Sequence, residues 1–145
     1  MTSNPLVDFL ASYGPQASSN NLYDEFVVEA AKRTGCAALE IDQPLTAELI
    51  GLLQSATPKC VILTGTAGDG KTYTARKVAE ALSGEARVWS NTQKIYTLPK
   101  PLPSGRSALF IKDLSEINEA EKNRIFPDIM AALTGETTDV FVICV

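Results

Sequence analysis

Apolar residues recur along this chain with two periods, and the switches between them mark out its elements. Residues 1 to 20 are rich in Ser, Asn, Pro and Gly and read as a lead-in segment. Tyr23, Phe26, Val27 and Ala30 then fall on one helical face; Asn21 is placed to cap that helix, Lys32 and Arg33 suit its last turn, and Gly35 closes it. Leu49, Leu52 and Leu53 predict a second helix, capped by Thr46 and ending before Pro58. Cys60 to Thr64 is an apolar, β-branched run that predicts a strand, after which Ala75, Val78, Ala79 and Leu82 restore helical spacing until Gly84. Ala86 to Ser90 predicts a second short strand. Leu98 to Arg106 contains Pro99, Pro101 and Pro103, so it is neither a helix interior nor a central strand, but a stiff basic loop. Ala108 to Asp113 is an apolar strand ending in a carboxylate. Ser115 opens a helical pattern to Leu133 whose stripe of Phe126, Ile129, Met130 and Leu133 predicts core, with Pro127 expected to kink or restart the helix. Val140 to Val145 is wholly apolar, the pattern of a strand buried on both faces of a parallel sheet.

Composition narrows the class. With 145 residues, 45% apolar and 21% charged, the chain has the makeup of one globular domain with a sizeable core. A net charge of −4 argues against broad affinity for nucleic acid or anionic membranes. No apolar run approaches the roughly 18 residues of a membrane span, and Met1 to Pro5 lacks the basic and apolar features of a secretion signal, so the cytoplasm is the expected location. Cys36, Cys60 and Cys144 are odd in number and without metal-ligand spacing, which predicts buried reduced thiols and no zinc site. The chain has no histidine, which removes Ser-His and Cys-His catalysis.

The chemistry concentrates in Gly65-Thr66-Ala67-Gly68-Asp69-Gly70-Lys71-Thr72, two glycines five apart followed by Lys and Thr, between a predicted strand and a predicted helix. A phosphate chain needs several backbone N–H groups converging on it, and Gly65 and Gly70 permit a close approach that a Cβ would obstruct. The helix starting near Gly70 adds unpaired N-terminal donors and the positive end of its dipole. Lys71 supplies a mobile positive charge for the β- and γ-phosphates, and the Thr72 hydroxyl is placed to ligate Mg²⁺. Asp69 puts an acid beside a polyanion and reads as a solvated side chain pointing away.

Through these eight residues the chain resembles the P-loop NTPases, with Gly65 to Thr72 as the Walker A element. Ala108 to Asp113 is similar to a Walker B strand, whose Asp holds Mg²⁺ through water, although Lys112 interrupts the apolar run. The order of elements resembles the branch with an added strand between the two Walker strands, which includes the AAA+ and STAND proteins. The resemblance implies a three-layer α/β sandwich with a mostly parallel sheet and Val140 to Val145 lying between the Walker strands. It also implies a core over residues 58 to 145, incomplete at its C-terminus after this fourth strand, with residues 1 to 57 packing on it as a lead-in and helices.

The same resemblance implies ATP and Mg²⁺ as ligands. Gly65, Thr66, Ala67, Gly68, Asp69, Gly70, Lys71, Thr72 and Tyr73 would line the phosphates, Lys71 would assist catalysis, and Thr72 and Asp113 would hold the metal. Many members carry a glutamate directly after the Walker B Asp as the base that polarises water. Leu114 stands there in this chain, and the nearest acid is Glu116, which reads either as a displaced base or as an acid complementing a helix dipole. By position, Tyr13 and Asn20 to Tyr23 would line the adenine pocket or pack on the sheet, and Lys94, Tyr96, Lys100 and Arg106 would face a substrate or form a plain surface connection. The implied activity is ATP binding and hydrolysis that drives conformational change or assembly within a larger protein, as in bacterial signalling or defence ATPases. Its partners would be further C-terminal regions of the same protein and other copies in a homo-oligomer.

Two further readings stay open. Leu114 favours a non-hydrolysing nucleotide switch or scaffold. A nucleotide-kinase-type phosphotransferase also uses this loop, but Arg76, Arg87 and Arg106 are too scattered to suggest its arginine-rich lid. No Asn-Lys-x-Asp guanine-reading motif is present.

Overall fold

The computed structural model describes residues 4–11, 32–35, 43–55, 57–66, 68–86, 88 and 93–145. The chain divides into two compact units, Met1–Ile41 and Asp42–Val145. In the first, α1 (Pro5–Ala11) lies within the segment expected to be a lead-in, and the Asn4 side chain caps it by accepting from Leu6 N at 3.0 Å. Residues 32–34 are helical and end at Gly35, whose φ of 70° only glycine adopts freely, as the sequence pattern predicts. The remainder of that predicted helix, Tyr13, Asn20 to Tyr23 and most of the strand predicted at Ala86 to Ser90 lie outside the described residues.

In the second unit the described strands are β1 (Cys60–Leu63), β2 (Ile95–Thr97), β3 (Ala108–Ile111) and β4 (Val140–Cys144). They form one sheet in the order β1-β4-β3-β2, with β4 parallel to both neighbours and β2 antiparallel to β3. β4 is buried along its whole length because the two faces of the sheet are both covered. On one face α2 (Pro44–Gln54) and α3 (Lys71–Ser83) place Leu49, Leu53, Ala75, Val78 and Ala79 against Phe110, Val140 and Val142. On the other, α4 (Glu119–Thr134) sets Ile125, Ile129 and Ala132 against Ile111, Phe141 and Ile143. The alternation of Val140 and Val142 with Phe141 and Ile143 between these cores is the period of two that a strand imposes. The protein is therefore α/β, with a mixed, mostly parallel sheet between helices.

Several boundaries differ from expectation for identifiable reasons. α2 starts at Pro44 with Gln43 as its N-cap residue, and Thr46 sits inside the first turn with its N–H on Gln43 O at 2.9 Å. Proline at the first helical position loses no bond the helix needs, so it outcompetes Thr46 as the start. Ser115 does not cap the last helix. Residues Leu114–Glu116 form a single 3-10 turn, and α4 begins after Asn118, whose side chain accepts from Glu121 N while Glu121 accepts from Asn118 N. Pro127 lies inside α4 without ending it. The carbonyl it leaves without a donor belongs to Asn123, an exposed residue within reach of water.

The stripe expected to be core is rotated. Only Ile129 of it is buried, whereas Phe126, Met130 and Leu133 are 42%, 57% and 46% exposed and Ile125 and Ala132 take the inner positions. Two apolar stripes one residue apart satisfy the same helical spacing, and the direction from which the sheet meets the helix chooses between them.

The expected basic loop, Leu98 to Arg106, supplies a buried staple, and the residues just before it form the short strand β2. Tyr96 lies in β2 and is buried against Phe110, with ring centroids 6.4 Å apart. Leu98 and Leu102 are buried as well. Arg106, only 9% exposed, donates from Nη2 to Ser55 O at 2.9 Å, from Nη1 to Pro58 O and from Nε to Ser104 Oγ at 3.2 Å. It fastens the loop before β3 to the segment that leads into β1, so neither Tyr96 nor Arg106 is free to face a substrate. Among the described residues, no helix is long and apolar enough to cross a membrane.

Removing the Arg106 side chain strands two carbonyls beneath the loop. Arg106→Ala is expected to lower the unfolding free energy by about 2–4 kcal/mol, whereas Lys100→Ala, on the exposed part of the same loop, should stay within about 0.5 kcal/mol of wild type. Urea denaturation of the two variants checks the contrast.

Candidate functional site

The strand order brings the segments following β1 and β3 to the same end of the sheet, because β4 separates two strands that run parallel to it. A crevice at the carboxyl ends of parallel strands is where open α/β sheets take their ligands. The glycine loop follows β1 and runs into α3. Gly68 and Gly70 have φ of 93° and 77°, so the backbone there turns in the left-handed region and a side chain at either position would be strained. Gly70 is the N-cap residue of α3, and its carbonyl accepts from Thr74 N at 2.8 Å and Thr74 Oγ1 at 3.0 Å. The N–H groups of Gly70, Lys71, Thr72 and Tyr73 have no carbonyl four residues back within the helix, which makes this end of α3 a cluster of donors with the positive dipole end behind it.

Lys71 lies along the loop, with Nζ donating to Gly65 O at 2.9 Å and Thr66 O at 2.8 Å. Asp69 does not point away as expected. Its Oδ2 accepts from Thr66 N at 2.5 Å and its Oδ1 from Thr66 Oγ1 at 3.0 Å. Gly65 is required by close approach, since a Cβ there would stand 2.6 Å from Asp69 Oδ2. Two donors on a single residue, the N–H and hydroxyl of Thr66 three positions back, capture the carboxylate before solvent does, which reverses the expectation for this side chain. Ala67 lies outside the described residues.

Thr72 joins the loop to the other strand end. Its Oγ1 donates to Lys112 O at 3.3 Å, so the hydroxyl stands beside the peptide that leads directly to Asp113. Asp113 Oδ1 accepts from Ser115 N at 2.8 Å and Ser115 Oγ at 2.6 Å, capping the 3-10 turn and holding the carboxylate at the strand end. Lys71 and Asp113 both act on the Cys144 thiol at the end of β4. Burial, with the Asp113 charge adding to it and the Lys71 charge opposing, pushes that thiol up to about 12. Burial raises Cys60 too. Among the described residues no group of three or more His, Cys, Asp or Glu is arranged to hold a metal ion. The oxygen-bearing side chains at this end of the sheet include the Thr72 hydroxyl, bonded to Lys112 O, and the Asp113 carboxylate, bonded to Ser115.

Glu116 is exposed, and among the described residues its carboxylate has no hydrogen-bond partner; only its main-chain carbonyl is engaged, by Lys94 Nζ at 2.7 Å. Tyr73, on the first turn of α3, turns its ring to two cations, with Arg76 Cζ at 5.6 Å and Lys77 Nζ at 5.7 Å from the centroid. Lys94 is spent on Glu116 O and on Glu121, whose carboxyl is held below its ordinary range mainly by the Asn118 N–H.

Two residues at the site escape motif reading. Gln43 bonds Thr74 Oγ1 through its side-chain oxygen, and its nitrogen stands 3.1 Å from where a Gly70 Cβ would lie. It therefore packs the back of the loop against the start of α2, and the one sequence signal for it is its place ahead of Pro44. Lys112 is 2% exposed although lysine is a polar residue, and its carbonyl serves Thr72. Its position inside an apolar run is the trace of that burial.

No protein-family model matches the chain, and no curated protein or solved structure matches it.

The thiols give a direct check of the electrostatics. In the unfolded chain a cysteine ionises near 9.0, whereas Cys144 in the fold holds its proton to about 12, so the contribution of this group to stability is intact below pH 9 and is lost as pH rises from there toward 12. The unfolding free energy should fall over that window, with a shallower decline in Cys144→Ala. At pH 8, a maleimide dye should label Cys144 on the order of a thousandfold more slowly in the folded protein than in urea.

Proposed function

We propose that this chain is the nucleotide-binding core of a P-loop NTPase of the added-strand branch, binding ATP with Mg²⁺. The observation that carries the reading is the joining of three parts at one sheet end: a glycine loop entering α3, Lys71 laid along that loop, and Thr72 bonded to the strand end that bears Asp113. Insertion of β4 between β1 and β3 supports the branch. The positive φ of Gly68 and Gly70 favours glycine at both positions, so no side chain stands between the loop amides and an arriving phosphate chain.

The residues suit the metal as well. Mg²⁺ takes hard oxygen donors, keeps several waters and accepts one or two protein ligands beside substrate phosphates. Thr72 Oγ1 and the Asp113 carboxylate are such a pair, and when bound the ion would spread the charge of the β- and γ-phosphates. The amides of Gly70 to Tyr73 hold phosphate oxygens, and Lys71 moves from its carbonyl partners to the β- and γ-phosphates. The bonds from Ser115 leave Asp113 Oδ2 as its free oxygen. Glu116 is the base in the hydrolytic form of this reading. Nucleotide state would then order the segments around the γ-phosphate and pass that change to further regions of a larger, cytoplasmic signalling or defence protein or to other copies of it.

A non-hydrolysing switch is the second reading. Leu114 in place of an acid after Asp113, and the exposure of Glu116, favour it.

Calorimetric titration with ATP and GTP, with and without Mg²⁺, tests the first reading. Lys71→Ala should weaken ATP binding by on the order of a hundredfold, about 2.7 kcal/mol, while Asp113→Ala and Thr72→Ala should remove most of the Mg²⁺ dependence. Phosphate release separates the two readings. Glu116→Gln lowers turnover at unchanged ATP affinity if this acid is the base, and wild type that binds ATP without turnover favours the switch. Failure of folded wild type to bind either nucleotide overturns both.

A further inference from the structure

An acid two residues before the lysine of a phosphate-binding loop poses a problem, because a free carboxylate there both repels a polyanion and competes for the ammonium. The structure resolves it. Asp69 spends both oxygens on Thr66, one on its N–H and one on its hydroxyl, while Lys71 takes the carbonyls of Gly65 and Thr66. Acid and base thus grip the two polar poles of one short stretch of backbone, the carboxylate on its donors and the ammonium on its acceptors. No ion pair joins the two side chains to each other. The turn they close is tied by a further bond, Asp69 N to Thr66 O at 3.3 Å. Gly65 completes the arrangement, since any Cβ there would displace the Asp69 carboxylate.

We propose that Asp69 is the positioning residue of this loop: by fixing the Thr66 peptide it holds Thr66 O toward Lys71 and sets where the ammonium stands before a phosphate chain arrives. The inference rests on the phosphate-binding reading above and adds a residue that acts through another. A brace made before binding lowers the ordering cost that binding must meet, so its loss appears as weaker affinity even though Asp69 itself touches no phosphate. Charge alone predicts the opposite sign, because deleting an acid near a polyanion favours association. The two effects are therefore separable by substitution. Alanine removes both brace and charge, whereas asparagine sheds the charge and keeps an acceptor for Thr66 N.

The test is calorimetric titration of Mg·ATP and of Mg·pyrophosphate into wild type, Asp69→Ala, Asp69→Asn, Thr66→Val and the Asp69→Ala/Thr66→Val pair, with thermal unfolding run on each sample. Asp69→Ala is expected to bind both ligands about tenfold more weakly, the size of one charge-assisted hydrogen bond, and Asp69→Asn to recover that loss. Thr66→Val should weaken binding in the wild-type background and have little effect once Asp69 is alanine, because the hydroxyl acts only through the carboxylate. A purely structural role would lower the melting temperature of Asp69→Ala without this coupling. Equal or tighter binding by Asp69→Ala, or additive effects of the two substitutions, overturns the brace while the phosphate-binding reading stands. Wild type that binds neither ligand overturns both together.

Discussion

The insertion of β4 between β1 and β3 is the constraint on which the second unit depends. Val140–Cys144 carries no charged or hydroxyl side chain and is buried throughout, so it needs a paired neighbour on each edge and a helix layer on each face. The parallel registers, Cys60 with Phe141 and Ala108 with Val140, then leave the carboxyl ends of three strands together. Segments far apart in sequence meet there as a consequence of burying an apolar strand. The contact from Thr72 to Lys112 O and the shared influence of Lys71 and Asp113 on Cys144 report the same meeting from opposite sides.

Local electrostatics at that meeting point run against the overall charge of the chain. The protein carries a net charge of −4, yet the loop presents an ammonium, a set of unpaired amides and the positive end of a helix. Orientation, not composition, decides the sign of a cleft. Two of the acids nearby are tied down, Asp113 by Ser115 and Asp69 by Thr66. Neither is left to oppose an arriving anion freely. Arg106, by contrast, is spent far from this chemistry, holding the carbonyls of Ser55 and Pro58 so that the chain enters β1 from a fixed direction.

Much of this was readable in one dimension. The strands around Cys60, Ala108 and Val140, the helix from Lys71 to Gly84 and the glycine loop between them follow from short-range rules: β-branched runs, helical spacing, and glycine where the backbone must turn left-handed. Gly65-x-x-x-x-Gly70-Lys71-Thr72 names its own chemistry because each position is set by what lies within a few residues of it. β2 was not readable, since three residues at a sheet edge carry too little pattern to separate from the proline-rich segment beside them.

What only the tertiary structure decided is partnership across the fold. Which of two adjacent stripes on α4 turns inward, that Arg106 is a buried staple, that Gln43 backs Gly70 and that the Asp69 carboxylate turns onto Thr66 all depend on which groups stand nearby in space. Sequence determined where the helices, the principal strands and the phosphate-type loop lie, because the forces behind them act over one or two turns of chain. Folding determined what each polar side chain is used for, because a buried charge or amide is assigned by the partner that satisfies it, and that partner is chosen by packing.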